Sequence, residues 1–433
     1  MKDWNRRKAQ TPLLCYIFYA YWVILLIWQN FGGGQLRSGV DVIIKCALLV
    51  MLGIYYFSHM TGIRRDVLAL IVILCMIYGG IKMSNGMGMS EALYYFFPFL
   101  FLMMVYGIGW RFAIRKKQLI TLCNLIIITV SYIAIYALIF CFDQFMGVFS
   151  LSSAYGNELK SFLMSNHEYG LYLSVGIMAS ILCLEFDPDG NKGRRGLYIA
   201  AIVLFSANLI LTFSRTSMLA LVVMMICYII AFAKKRLRSV FFCSLAAAVI
   251  LVLVIPPLRE FFWQIVMKEN NDAGRDDLTE RAIEIFTAGD YKTKIFGRDF
   301  SVIEHFLNTS RNISSFHNAY LSQLVSNGIV GVIILISMTV VSLRDIYVTV
   351  KSGAKYSHLA KFFIGFVLSA CIFMLFNTTV LYASTIDSFF LTVIASVVPK
   401  YVNRAIRDGT FDLPEKENQS GKPIRKTYSD PVK

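Results

Sequence analysis

Residues 196–213 read GLYIAAIVLFSANLILTF, and residues 214–233 continue SRTSMLALVVMMICYIIAFA. Each run is about as long as a helix must be to cross ~30 Å of hydrocarbon at 1.5 Å per residue. A single charged side chain, Arg215, separates them. Lipid offers no partner to an unpaired amide or carbonyl, so two such runs joined by a tight turn form a helical hairpin across a bilayer. The predicted fold class is an all-α, polytopic integral membrane protein.

Working outward, ten further apolar runs reach spanning length, at 11–29, 40–58, 66–82, 91–109, 119–142, 168–186, 239–256, 319–342, 360–383 and 385–402. About twelve transmembrane helices and one large extracytoplasmic helical loop are therefore expected. The expected organisation is a membrane bundle of about nine spans over 1–256, an extracytoplasmic catalytic loop over 257–318, C-terminal membrane helices over 319–402 and a disordered cytoplasmic tail over 403–433. With 57% hydrophobic and 16% charged residues, the 433-residue chain carries more apolar surface than a soluble core could bury. The first run follows Arg6-Arg7-Lys8, and no small-residue cleavage site ends it. It is read as an uncleaved first span.

Basic residues alternate from one connection to the next. Lys2/Arg6/Arg7/Lys8, Arg64/Arg65, Arg111/Arg115/Lys116/Lys117, Lys192/Arg194/Arg195, Lys234/Lys235/Arg236/Arg238 and Arg344/Lys351/Lys355/Lys361 fall on one side. The other side has only Arg37, Lys82, Lys160 and Arg215 in its short segments. The positive-inside rule then puts both termini in the cytoplasm. It also accounts for the net charge of +15 without a nucleic-acid partner. The nine cysteines lie mostly in apolar runs, without CxxC or Cys/His spacing, and read as small buried hydrophobes.

The polar segment 257–317 is extracytoplasmic by the same count, and its 8 Lys/Arg stand against 10 Asp/Glu. Leu278, Ala282, Ile285 and Phe286 mark one face of an amphipathic helix, and Phe261, Phe262, Trp263, Ile265 and Val266 suggest another in the interface. Asp276-Asp277, after Gly274-Arg275, could cap a helix from about Leu278. Asp276, Asp277 and Glu280 could equally pair with nearby arginines, and they match no metal motif.

Polar residues at the outer face are the candidates for chemistry, because charge is costly in hydrocarbon. Arg215 could be a snorkelling arginine at a helix end or an anion clamp, since guanidinium forks match phosphate oxygens. Arg275, Arg281 and Arg298 are left open by spacing alone. His317, at the loop's end, could be an inert helix-start histidine or a general base with an ordinary pKa of about 6.5. Asn318 beside it offers an amide to a hydroxyl or phosphate. His167 and Glu168 open the sixth run from the same side, and could line the same cavity or cap the helix. No Walker A, GxSxG, HExxH or GxGxxG motif occurs, so cytoplasmic ATP hydrolysis within the chain is not expected.

Together these residues resemble the family of O-antigen ligases and Wzy-type O-antigen or capsular polysaccharide polymerases. The resemblance lies in the Ser214-Arg215 turn, Gly274-Arg275 opening an amphipathic helix, Phe296-Gly297, and His317-Asn318-Ala319-Tyr320-Leu321 running into Asn327-Gly328-Ile329-Val330-Gly331. It covers roughly 200–340. It implies transfer of a glycan from undecaprenyl diphosphate at the outer face of a bacterial cytoplasmic membrane, with inversion and without cofactor or metal. Arg215 and Arg275 would bind the diphosphate and His317 would activate the acceptor hydroxyl. The family usually has an aromatic where this chain has Glu280-Arg281, so Arg281 or Arg298 could share the diphosphate role. The implied reaction is polymerisation of lipid-linked repeat units, or ligation to a lipid or wall acceptor. Implied partners are membrane lipids, a flippase and a chain-length regulator. A transporter would place charges or broken helices at the midplane, and a receptor would tolerate loss of Arg215 and His317.

Overall fold

The computed structural model describes residues 12–31, 112–141, 143–144, 158–163, 165–187, 192–234, 275–298, 316–377 and 386–413, with isolated positions at 73, 77 and between 239 and 259. The expected runs at 40–58, 66–82 and 91–109, and the interfacial helix at 261–266, lie wholly or mainly outside the described residues, and half of 239–256 does. Every regular element among the described residues is helical. In chain order these are α1 (Pro12–Phe31), α2 (Lys116–Phe140), α3 (Asn166–Phe186), α4 (Lys192–Leu211), α5 (Arg215–Phe232), α6 (Arg275–Thr287), α7 (Tyr291–Phe296), α8 (Ala319–Lys351) and α9 (Ser357–Phe376). α10 (Ile386–Thr392), a π-helical turn (Val393–Val397) and α11 (Val398–Arg407) follow without a break. The π turn ends two residues before Pro399, whose ring has no amide hydrogen to give residue 395 and would crowd its carbonyl.

Six of these helices, α2 to α5, α8 and α9, are long and apolar enough to cross a membrane. α3 is the central one and is buried on nearly every side. Gly176 lets α4 approach, since a Cβ there would lie 2.9 Å from the Phe205 ring. Ser174 and Ser180 satisfy their hydroxyls on the carbonyls of Gly170 and Gly176, each at 2.8 Å. That local bond lets a polar side chain sit in an apolar bundle. On α2, Leu119, Leu122, Ile126, Val130 and Ile133 face inward, while Ile128, Ile135 and Ile139 face out. Such outward aliphatic stripes belong against lipid tails rather than water.

Contacts at the helix ends fix the up-and-down course. The rings of Phe186 and Phe232 meet at 5.7 Å, and Phe232 meets His358 at 5.0 Å. The ends of α3 and α5 therefore lie beside the start of α9. Lys116, Lys192, Lys351 and Lys355 gather at this same end, as the alternation of basic connections requires. The starts of α3, α5 and α8 lie at the opposite end.

Three expectations shift. α8 runs 33 residues, beyond the expected 319–342, and is kinked at Gly328 (φ 63°, ψ −164°). A straight helix of that length would reach ~50 Å, more than a bilayer core. Its outward stripe of Ile329, Ile333, Ile336 and Val340 begins just past the kink. α9 ends at Phe376 rather than at 383, because Asn377 is extended. The tail expected to be disordered from 403 is helical to Arg407, and residues 408–413 are packed. Phe411 is buried against Phe186 and Tyr356, its carbonyl accepts from the Lys116 amide at 2.9 Å, and Arg407 donates to Asp345 at 2.6 Å. One buried aromatic ring and these hydrogen bonds offset the polar composition of the segment.

Candidate active site at one end of the bundle

The turn between α4 and α5 is built by backbone strain and hydrogen bonds together. Phe213 takes φ 49°, a left-handed conformation disfavoured for a bulky residue. This reverses the chain so that Ser214 caps α5, its hydroxyl accepting from the Ser217 amide. Arg215 follows as the first helical residue and is half-buried. Thr212 steadies the turn by accepting from the Ser214 amide at 3.1 Å while donating to the Leu209 carbonyl at 2.7 Å.

The start of α3 closes on this turn. Asn166 Nδ2 donates to the Thr212 carbonyl at 3.0 Å, and His167 Nδ1 lies 2.9 Å from Ser214 Oγ. The Ser214 and Ser217 hydroxyls are 2.7 Å apart, and Ser217 Oγ donates to the His167 carbonyl at 3.2 Å. Gly170 permits the approach, because a Cβ there would fall 2.3 Å from Ser217 Oγ. His167 and Glu168 do not cap α3; Ser165 does, accepting from the His167 amide at 3.1 Å. Glu168 turns along the bundle, accepting from Tyr172 at 3.0 Å and Gln29 at 3.4 Å.

The start of α8 repeats the same local design. His317 takes φ 50° and is exposed, and Asn318 caps the helix, its amide oxygen accepting from the Tyr320 and Leu321 amides at 2.9 and 3.1 Å. That oxygen, a sequence candidate for substrate recognition, is engaged by the backbone. Phe316, just before His317, is buried with Leu278, Ala282 and Ile285 of α6 and Val325 of α8. α6 thus docks by the apolar face its sequence predicts, with Phe286 half-buried at the edge. It begins at Arg275 rather than near Leu278, so Asp276 and Asp277 lie within its first turn instead of capping it.

α7 is capped by Asp290, which accepts from the Thr293 amide at 2.8 Å. Hydrogen bonds from Thr293 hold its carboxyl below the ordinary value of 3.8. Beyond α7, Gly297 (φ 83°) crosses Gly328 backbone to backbone. A Cβ on Gly297 would lie 2.2 Å from the Ser326 carbonyl carbon, and one on Gly328 2.4 Å from the Ile295 oxygen. Only glycine occupies such positions. The Arg298 amide then donates to the Val325 carbonyl at 2.9 Å, and its Nε is buried without a hydrogen-bond partner among the described residues. Arg281 is exposed on α6.

Two contacts relate the arginine turn to the histidine turn. Ser369 of α9 donates to the Ala220 carbonyl of α5 at 2.8 Å, and Cys371, two residues on, meets Tyr320 of α8. Arg215 stands about one and a half turns beyond Ala220, and His317 three residues before Tyr320, so both emerge at the same end of the bundle. Sequence reading missed Ser165, Gly170 and Ser217. The S-N-H-E string at 165–168, with an acid three residues after a serine, carried the cap signal.

Residues 200–336 match the family model described as O-antigen ligase. No curated protein matches the chain. The matched segment contains the Arg215 turn, α6, the Gly297–Gly328 crossing and the His317-Asn318 helix start. Over residues 200–336, this all-helical chain is thus similar to the O-antigen ligase family.

Proposed function

We propose that the chain polymerises undecaprenyl-diphosphate-linked oligosaccharide repeat units into surface polysaccharide at the outer face of a bacterial cytoplasmic membrane. The observation that carries this reading is the pairing at one end of the bundle of a half-buried arginine turn with an exposed histidine turn. The opposite end holds Lys116, Lys192 and Lys355 and would face the cytoplasm, together with both termini.

In the proposed reaction, His317 accepts the proton of an acceptor hydroxyl as its oxygen attacks the anomeric carbon of the donor glycan. The bond from that carbon to the diphosphate oxygen breaks, the electron pair leaves with the carrier, and the anomeric configuration inverts. Arg215 and Arg275 neutralise the charge gathering on the diphosphate. Arg275 opens α6, which rests on the same helix start as His317. Neither a nucleotide nor a metal is invoked, because the donor is already an activated phosphate ester. Membrane lipids, a flippase and a chain-length regulator are its proposed partners. A second reading, favoured by the likeness of residues 200–336 to O-antigen ligases, is ligation of a finished glycan to a lipid or wall acceptor.

Complementation of a polymerase-null strain tests the proposal through polysaccharide chain length. Arg215→Ala and His317→Ala variants, inserted at wild-type levels, should leave only single repeat units. Wild-type polymer from either would remove its assigned role. Normal polymer length with loss of attachment to the acceptor would select the ligase reading.

A further inference from the structure

Three residues of the first turns of α3, Asn166, His167 and Gly170, each touch the turn that presents Arg215. The proton count in this cluster is determinate. Ser217 Oγ has one proton and donates it to the His167 carbonyl. Ser214 Oγ must then donate across the 2.7 Å contact to Ser217 Oγ. Its proton being committed, Ser214 Oγ can only accept from the ring nitrogen 2.9 Å away, so His167 carries a proton on Nδ1. The histidine backbone and side chain therefore grip the two serines that flank Arg215 and Thr216, one by carbonyl and one by imidazole. The grip matters because Phe213 sits in a left-handed conformation that persists only where the surroundings over-determine it.

We propose that His167 is a positioning residue for Arg215: its Nδ1–H bond to Ser214 holds the strained turn so that the guanidinium meets a lipid diphosphate in one fixed pose. The inference rests on the diphosphate role proposed above for Arg215. It differs from a direct substrate contact by His167, since the effect passes through Ser214. Nor is it a packing role alone. An asparagine at 167 can place its amide nitrogen where Nδ1 stands and keep the bond, whereas leucine keeps the bulk and loses it.

The test uses the purified full chain in nanodiscs, with undecaprenyl diphosphate as the probe and affinity read by thermophoresis. His167→Leu should weaken binding roughly tenfold, the scale of one lost hydrogen bond on a charged site, and His167→Asn should stay within about twofold. Arg215→Ala should weaken binding at least as much, and the double variant H167L/R215A should bind no worse than R215A, because the two act as one unit. Amide exchange over residues 212–217 should accelerate in H167L and not in H167N. Normal binding by H167L beside weak binding by R215A would overturn this inference alone, as would fully additive losses or unchanged exchange. Normal binding by R215A would remove the diphosphate role and this inference with it.

Discussion

Replacing Gly328 with alanine should release the α6–α7 segment from the start of α8. Gly328 holds φ 63° and ψ −164°, and an added Cβ would lie 2.4 Å from the Ile295 oxygen, 2.5 Å from its carbonyl carbon and 2.7 Å from the Gly297 nitrogen. Every one of these atoms is backbone, so no side-chain rotation relieves the clash. The conformation itself costs an L-residue about 1–3 kcal/mol, and forced separation of packed segments adds about 1–3 kcal/mol. The total of about 2–6 kcal/mol rivals what burial of Leu278, Ile285 and Phe316 can return at ~1.5–3 kcal/mol each. Gly353 is the matched control, with φ 64° and nothing within 4 Å of a Cβ, so Gly353→Ala bears only the ~1–2 kcal/mol of left-handed strain. Amide exchange of residues 278–296 in the full chain in nanodiscs should quicken markedly in Gly328→Ala and stay at the wild-type rate in Gly353→Ala. Equal exchange in the two variants would refute the reasoning that backbone contact fixes this crossing.

Two other outcomes follow from the geometry. Gly170→Ala should lower the melting temperature through its 2.3 and 2.6 Å contacts to Ser217, at a cost of about 1–3 kcal/mol, and Ser217→Gly in the same chain should recover part of the loss. Asp412, whose carboxyl is held below its ordinary value of 3.8 mainly by the Tyr356 hydroxyl at 2.7 Å, stabilises the packed 408–413 segment when ionised. Its folded value being depressed, that contribution is complete above pH 3.8 and is lost as pH falls through the lower folded value. Proteolysis after residue 407 should therefore speed up on acidification below pH 3.8, and Asp412→Asn should flatten this response.

How far the sequence announces the fold depends on how local each signal is. The hairpin of α4 and α5 is legible because hydropathy is a one-dimensional property and the turn lies within a few residues. The docking face of α6 is legible for the same reason, since Leu278, Ala282 and Ile285 repeat at helical spacing. The Gly297–Gly328 crossing is different. Both glycines stand out in the sequence, yet nothing local says that they touch one another. The packed tail is hidden because its hold comes from Phe186, Tyr356, Lys116 and Asp345, all distant in sequence. At the candidate site, Arg215 and His317 are legible as polar, chemically capable side chains at the ends of apolar runs. The bond from His167 to Ser214 spans 47 residues and has no sequence code. Asn318 has a second, structural use that spacing alone does not single out, because its amide oxygen serves the helix start beside His317.

The seat of residues 401–411 against the start of α2 also bears on how the protein is assembled. The Ile114 amide donates to the Tyr401 carbonyl at 3.0 Å, and the Lys116 amide to the Phe411 carbonyl at 2.9 Å. In a chain made from the amino end, those amides emerge almost three hundred residues before their acceptors exist. Until then water at the membrane surface must satisfy them, so the first half of the bundle enters the bilayer with one rim unfinished. Closure of that rim is a late, long-range event, and interruption of synthesis before residue 411 leaves helices inserted in lipid without the strap that joins their ends.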